Sequence, residues 1–173
     1  QKSFKKLFSL EQLAIIYIMH SIGIVLFNPE IPPNTGNIIR LCSNTGCSLH
    51  LIKPMGFNLN EKSLRRAGMD YVKDVKISIY ENIFDFLNKD LFRRYFIVTK
   101  YGKEAYTNIK YFKNDCFIFG SESKGIPKHI LNEFENSKKV SIPMIQGSRS
   151  LNLSNSVSIV VYEALRQNKF QFL

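Results

Sequence analysis

The chain has 173 residues and is 45% hydrophobic and 22% charged, proportions that exclude a disordered segment and fit one globular domain. Its formal net charge is +10, and a compact basic domain usually binds a polyanion, because phosphate binding releases condensed counterions. A lysine-rich composition can also be a genome-wide habit. The charge therefore favours nucleic acid as a partner without deciding it.

The spacing of cysteines and histidines argues against a disulfide framework and against a metal site. The three cysteines include no CxxC pair: Cys42, Cys47 and Cys116. The three histidines are far apart in sequence and lack ligand spacing: His20, His50 and His129. We expect a reducing compartment, here the cytoplasm, and no bound metal, with the histidines at the surface or in strands.

The N-terminal segment combines lysines with an apolar run and superficially resembles a signal peptide. Glu11 and Gln12 interrupt its start, and no small-residue cleavage site follows. The apolar run 13–19 is well short of the ~20 residues that a membrane span needs. We interpret residues 1–18 as an N-terminal extension, with organellar targeting as an open alternative, and residues 19–173 as one domain without a membrane segment.

The first predicted unit is a strand, a helix and a second strand. Residues 22–27 are apolar and β-branched, as in a buried strand, and the prolines of residues 28–33 predict a rigid loop. Asn34-Thr35 supplies a cap for a helix over residues 36–44, which Gly46 ends in the left-handed conformation. Leu49 to Ile52 form the next strand. This order predicts a parallel pair with a right-handed crossover.

The remaining elements continue the alternation of strands and helices. Helices are predicted over residues 60–67 and 80–87, and strands over residues 71–79, 95–99, 116–119 and 140–142. About six strands alternating with helices predict a single-domain α/β fold with a mostly parallel sheet.

The last predicted strand leads into a polar loop and then an amphipathic helix. The loop, Gln146 to Ser150, is rich in hydroxyl groups, and Ser150 or Asn152 can cap the helix. The apolar residues of that helix recur at the spacing of one helical face: Leu153, Val157, Val160, Val161, Ala164 and Leu165. We expect this face to be buried.

Three corners, residues 34–40, 119–127 and 142–155, follow predicted strands, and ligands of open α/β sheets bind beyond the carboxyl ends of strands. Gly120 and Gly125 have the outer spacing of a phosphate-binding loop, but Ile126-Pro127 stands where Lys and Ser/Thr are required. The sequence also lacks a G-x-G-x-x-G after the first strand and a G-x-S-x-G elbow. Nucleotide hydrolysis, a dinucleotide site and an α/β-hydrolase site are therefore not expected.

The three corners read NTGNIIR, FGSESKGIP and IPMIQGSRSLNLSN, and together they resemble the three motifs of the SPOUT superfamily of S-adenosylmethionine-dependent RNA methyltransferases. With EIPPNTGNIIRLCSNTG and LRRAGMDY, the chain is most similar to the small tRNA methyltransferases that modify the wobble cytidine or uridine on the ribose 2′-hydroxyl. The likeness runs from about Ile22 to Gln167. Ser121 and Lys124 depart from the Pro and Arg common in that subfamily, and the loss of Pro is expected to loosen the loop.

The resemblance implies a trefoil knot in which the last strand and helix thread through an earlier loop, although physical rules alone disfavour knots. It implies a homodimer whose two sites borrow residues from each other. It also implies that S-adenosylmethionine lies in the knot, where Gly120 lets the main chain approach closely. The expected cofactor-binding residues are Val98, Thr99, Gly120, Ile142, Met144 and Ser150.

The resemblance places Arg40 beside the target ribose, with Asn34, Glu122 and Asn152 around it. A guanidinium stays protonated in proteins, so we expect Arg40 to bind a phosphate and to stabilise the developing 2′-alkoxide. The proton acceptor stays open between water, a substrate phosphate and a transiently deprotonated arginine.

A basic segment supplies the expected RNA contacts. Its candidates are Lys53, Lys62, Arg65, Arg66 and Lys73, with Tyr71 available to stack on a splayed base and Arg149 as a further cation. The expected substrate is tRNA. Ribosomal RNA or another tRNA ribose is the alternative within this chemistry, and a catalytically silent RNA-binding protein is the alternative outside it.

Overall fold

A computed structural model of the chain describes residues 21–58, 75–135 and 138–171. Its strands are β1 (Gly23–Phe27), β2 (Ser48–Ile52), β3 (Ile77–Tyr80), β4 (Arg94–Val98), β5 (Glu104–Ala105), β6 (Asp115–Phe119) and β7 (Lys139–Ser141). They form one seven-stranded sheet in the order β3-β2-β1-β6-β4-β7-β5, and each of its pairings is parallel. The prediction of a mostly parallel α/β fold is confirmed.

The helices of the described residues are α1 (Pro32–Thr45), α2 (Ile83–Leu87), α3 (Lys128–Asn132) and α4 (Leu153–Gln167), with a 3₁₀ turn at Tyr106–Asn108. Adjacent strand residues alternate between two apolar clusters: Ile24 and Leu26 face one, Val25 and Phe27 the other. Helices α1 and α4 pack on the first face of the sheet, and α2 and α3 on the second. Because both faces are covered, the central strands are buried along their whole length and β1 is apolar throughout.

The two long helices test the sequence-based boundaries. Helix α1 begins at Pro32, and its N-cap is Ile31 without a side-chain cap, so the predicted rigid loop through residue 33 and the predicted Asn34-Thr35 cap were wrong. Proline suits the first helical turn because its missing N–H would lack a partner there and its φ is preset. The predicted stop is confirmed, since Gly46 has φ 66°. The predicted apolar face of α4 is confirmed as buried.

Other boundaries differ in smaller ways. Tyr80, predicted to begin a helix, ends β3, and α2 begins after Asn82, whose side chain accepts a hydrogen bond from the Asp85 amide at 2.9 Å. Strand β5 was not predicted. The N-terminal extension, the helix over residues 60–67 and the first part of the strand over residues 71–79 lie outside the described residues.

His50 lies in β2 and is fully buried. Its Nε2 is 3.1 Å from Ser48 Oγ and its Nδ1 is 3.2 Å from Tyr80 Oη, and aromatic rings surround it. Burial, assisted by the charge of Lys76, lowers the pKa of His50 to about 3. The imidazole is therefore neutral in the folded protein at ordinary pH.

None of the helices in the described ranges has the length and apolar character that crossing a membrane requires. The same residues contain no group of three or more His, Cys, Asp or Glu arranged to hold a metal ion. The cysteines are free and buried, and burial raises the pKa of the Cys47 thiol to about 12.

Candidate active site

A cavity of about 400 Å³ opens beyond the carboxyl ends of β4, β6 and β7. Its walls come from the residues after these strands and from the first turns of α1 and α4. In a parallel sheet these strand ends share one edge, so segments far apart in sequence meet there. The three corners singled out in the sequence converge on this cavity.

The cavity contains most of the predicted site residues. Its walls include all the predicted cofactor-binding positions: Val98, Thr99, Gly120, Ile142, Met144 and Ser150. Asn34, Glu122 and Asn152 also line it. Arg40 does not, because it lies on the exposed surface of α1, roughly two helical turns beyond Asn34. Arg149 is exposed beside Ser150 and is not a lining residue either.

Glu122 connects the loop after β6 to the segment between β1 and α1. Its Oε2 accepts a hydrogen bond from the Glu30 amide at 2.8 Å. Its Oε1 accepts from the Ile31 amide at 3.1 Å and from Asn34 Nδ2 at 2.9 Å. Both carboxylate oxygens are thus already engaged with donors of the chain, so this side chain holds two corners together.

Asn34 and Asn152 extend the connection to the third corner. Asn152 Nδ2 donates to Asn34 Oδ1 at 2.9 Å. Asn152 Oδ1 accepts from the Ser154 amide at 2.9 Å and from the Asn155 amide at 3.3 Å, which caps α4 as predicted. A continuous series of hydrogen bonds, from Glu122 through Asn34 to Asn152, therefore joins the three motifs.

The loop over residues 120–125 is closed by its own main chain. A Cβ on Gly120 would lie 2.3 Å from the carbonyl carbon of Gly125, so the close approach expected at Gly120 is made to Gly125. The Ser121 amide donates to Gly125 O at 3.3 Å, and the Gly125 amide donates back at 2.9 Å. Proline could not make the first of these bonds. The Ser121 departure therefore counters the expected loosening of the loop.

Several residues at this site were not predicted from the sequence, among them Lys100, Tyr101 and Glu30. Lys100 and Tyr101 line the cavity, and the signal was available, since both directly follow the predicted strand over residues 95–99. Glu30 binds the loop after β6 and had no local signal. The predicted RNA contact Lys53 forms an ion pair with Glu81 at 2.7 Å. The remaining candidates of that segment lie outside the described residues: Lys62, Arg65, Arg66, Tyr71 and Lys73.

Comparison with known proteins identifies this arrangement. Residues 21–162 match the model of the SpoU rRNA methylase family. The chain belongs to this family. A tRNA (cytidine(34)-2′-O)-methyltransferase of Yersinia pestis is 50% identical over 151 residues, which cover 84% of this chain and 93% of the relative. The protein of the same description from Escherichia coli strain K12 is 49% identical over 146 residues, again 84% and 93% of the two chains.

A solved structure supports the fold of this SpoU-family chain. It is described as giving insights into the 2-OH methylation of C/U34 on tRNA, and it matches with a TM-score of 0.80 and 35% identity over 88% of this chain and 99% of that one. The resemblance inferred from the three motifs is therefore confirmed at the level of the family.

Proposed function

We propose that this chain is an S-adenosylmethionine-dependent methyltransferase that modifies the ribose 2′-hydroxyl of the wobble nucleotide of tRNA. The observation that carries the proposal is the convergence of the three motifs on one cavity, joined by hydrogen bonds from Glu122 through Asn34 to Asn152. Relatives about half identical over most of both chains bear the description tRNA (cytidine(34)-2′-O)-methyltransferase. The cytoplasm, where tRNA is modified, is the proposed compartment.

The residues present suit the cofactor. A volume of about 400 Å³ falls within the range of about 300–1,000 Å³ for small-molecule pockets. Apolar walls alternate with main-chain and hydroxyl groups, which suits a nucleoside joined to an amino acid. When bound, S-adenosylmethionine supplies an electrophilic methyl group on a sulfonium. The proposed holding residues are those predicted from the sequence: Val98, Thr99, Gly120, Ile142, Met144 and Ser150.

Methyl transfer would join the ribose O2′ to the methyl carbon as the bond from that carbon to sulfur breaks. The hydroxyl proton would pass to water, to a substrate phosphate or to a transiently deprotonated arginine. Holding the hydroxyl in line with the methyl group supplies much of the acceleration. We assign Arg40 to the charge that develops on O2′, because a guanidinium is a positively charged hydrogen-bond donor. Glu122 accepts hydrogen bonds on both oxygens, which supports a role in positioning Asn34 rather than in taking the proton.

The proposed assembly is based on the position of Arg40. Because Arg40 is exposed on α1 and does not line the cavity of its own subunit, we propose a homodimer in which it reaches the cavity of the second copy. We also propose that β7 and α4 thread through an earlier loop as a trefoil knot. The end of α4 is bonded to the segment before β6, where Gln167 accepts from the Tyr111 amide at 2.9 Å and donates to Ile109 O at 2.9 Å.

RNA contacts complete the proposal. Arg149 is exposed next to the cavity, in keeping with contact to the phosphates around the target nucleotide. Lys62, Arg65, Arg66 and Tyr71 remain predicted RNA-binding residues.

Methyl transfer from labelled S-adenosylmethionine to purified tRNA tests the function, with mass spectrometry of digested RNA to map the modified nucleotide. We expect label on the ribose of nucleotide 34, the position given in the descriptions of the relatives. Label on ribosomal RNA or on another tRNA ribose would redirect the specificity. No transfer to any RNA would leave the RNA-binding alternative.

Substitution of Arg40 tests its role in the same assay. Arg40→Ala should lower the transfer rate at least about a hundredfold, the scale of losing one stabilising group for developing charge, while calorimetric binding of S-adenosylmethionine persists. Arg93→Ala is the matched control, because Arg93 is exposed just before β4, at the opposite end of the sheet. Equal turnover of the Arg40 variant and the wild type would refute the role of Arg40.

A further inference from the structure

We propose that Glu30 is a positioning residue of this site, which fixes the cavity wall over residues 120–125 by binding Ser123. The inference rests on the proposed function, since the effect of Glu30 is expected on binding and transfer. Glu30 does not line the cavity, whereas Ile31, Glu122 and Ser123 do. Its influence must therefore pass through the loop that it holds.

Two carboxylates cross between the same two loops in opposite directions. Glu30 Oε1 accepts from Ser123 Oγ at 2.7 Å, and Glu30 Oε2 accepts from the Ser123 amide at 3.1 Å. In return Glu122 accepts from the amides of Glu30 and Ile31 at 2.8 and 3.1 Å. We call these four residues the crossed clasp. Each loop supplies one acceptor side chain and receives one, so the two loops cannot slide past each other without breaking both halves.

The Glu30 half of the clasp stands on a fixed base. The segment before Glu30 is bonded to the turn after β2: the Asn28 amide donates to Ile52 O at 3.0 Å, and the Gly56 amide donates to Pro29 O at 2.9 Å. A Cβ on Gly56 would lie 2.8 Å from the Glu30 carbonyl oxygen, so the main chain of Glu30 is packed closely against this turn. Ser123, in contrast, is exposed. The exposed end of the loop at Ser123 therefore takes its position from Glu30.

The carboxylate of Glu30 can orient Ser123 through directed hydrogen bonds. Hydrogen bonds to a carboxylate are charge-assisted and roughly twice as strong as neutral ones. A carboxylate accepts on both oxygens, so Glu30 orients the Ser123 amide and hydroxyl together. Each of the two carboxylates accepts its hydrogen bonds from donors of the opposite loop. A glutamine at either position could accept only part of these bonds.

The test compares Glu30→Ala, Glu30→Gln, Ser123→Ala and the double variant Glu30→Ala/Ser123→Ala in the methyl-transfer assay, at a temperature well below each Tm. We expect Glu30→Ala to raise the Kd and KM for S-adenosylmethionine about tenfold. Glu30→Gln should restore part of the loss, because its carbonyl oxygen still accepts one bond. Ser123→Ala should raise the Kd and KM for S-adenosylmethionine only about threefold, because the Ser123 amide remains a donor to Glu30. The double variant should be no worse than Glu30→Ala, since the two changes remove one shared contact.

Glu133→Ala is the control, an exposed glutamate directly after α3 that does not line the cavity, and it should stay within about twofold of the wild type. A lower Tm for Glu30→Ala with unchanged Kd and KM would reduce Glu30 to a structural residue and overturn the inference. Full additivity in the double variant would also overturn it. A wild-type protein that transfers no methyl group would instead sink the proposed function, so the two failures are distinct.

Discussion

Two walls of the same cavity are built in different ways. The crossed clasp joins the loops after β1 and β6 through side-chain acceptors and main-chain donors. The opposite wall, residues 143–151, is exposed, and Ile145 is 86% accessible. Among the hydrogen bonds of the described residues, this wall holds one of its own, from the Ser148 amide to Ile145 O at 3.1 Å.

The difference indicates that one wall is preformed and the other is completed on binding. A segment with few buried contacts and exposed backbone belongs to the low-stability end of a fold. Its fixed point is Asn152, which caps α4 and bonds to Asn34. We therefore expect ligand, RNA or a second copy of the chain to order residues 143–151, whereas the clasped wall keeps its shape without them.

The largest effect is expected from Gly120→Ala, which places a methyl group inside the preformed wall. Its Cβ would lie 2.3–2.6 Å from main-chain atoms of Gly125 and Ile126, which cannot move as the end of a flexible side chain can. We expect a loss of about 3 kcal/mol in the free energy of unfolding, the upper end for overpacking, measured by urea denaturation. Binding of S-adenosylmethionine should also be lost. A variant as stable as the wild type would show that this wall is not rigid.

Acid should lower the free energy of unfolding without acting on either wall of the cavity, because His50 and the rings around it do not line the cavity. His50 has a pKa of 6.5 in the unfolded chain and of about 3 in the folded protein. Its contribution to the free energy of unfolding is therefore fully present above pH 6.5 and is lost as the pH falls towards 3. Between pH 7 and pH 5 the loss should be about 2 kcal/mol. Urea titrations at both pH values measure it.

His50→Phe should flatten this pH dependence whatever its absolute stability, since it removes the titrating group. His129→Gln is the control, because His129 is exposed on α3 and its loss should leave the slope unchanged. A steep slope in the Phe variant would assign the acid loss to other groups. The loss of unfolding free energy in acid then serves as a reference. A wall variant that weakens ligand binding more than acid does at equal loss of stability acts on the cavity and not only on the fold.

The contrast between the walls also marks what the sequence could predict. The buried strands were predictable because a short run of apolar residues without alternation, such as residues 22–27, is typical of a strand in a sheet that is buried on both faces. Strand β5, Glu104–Ala105, was not, since two residues carry no periodicity. The three corners were predictable as ends of parallel strands. The clasp was not, because Glu122 accepts from amides 91 and 92 residues away, and such pairing leaves no local pattern.

The smallest effect is expected from Gly147→Ala, the matched change in the open wall. Gly147 has φ 80°, and a Cβ there would meet nothing within 4 Å, so the cost is conformational alone, about 1–2 kcal/mol if the turn is kept. Because residues 143–151 share one hydrogen bond, the turn can rearrange at lower cost, and we expect the free energy of unfolding to change by less than about 1 kcal/mol. The strain should instead raise the KM for S-adenosylmethionine about threefold, because the turn must form when this ligand binds. A loss of stability equal to that of Gly120→Ala would mean that both walls are preformed.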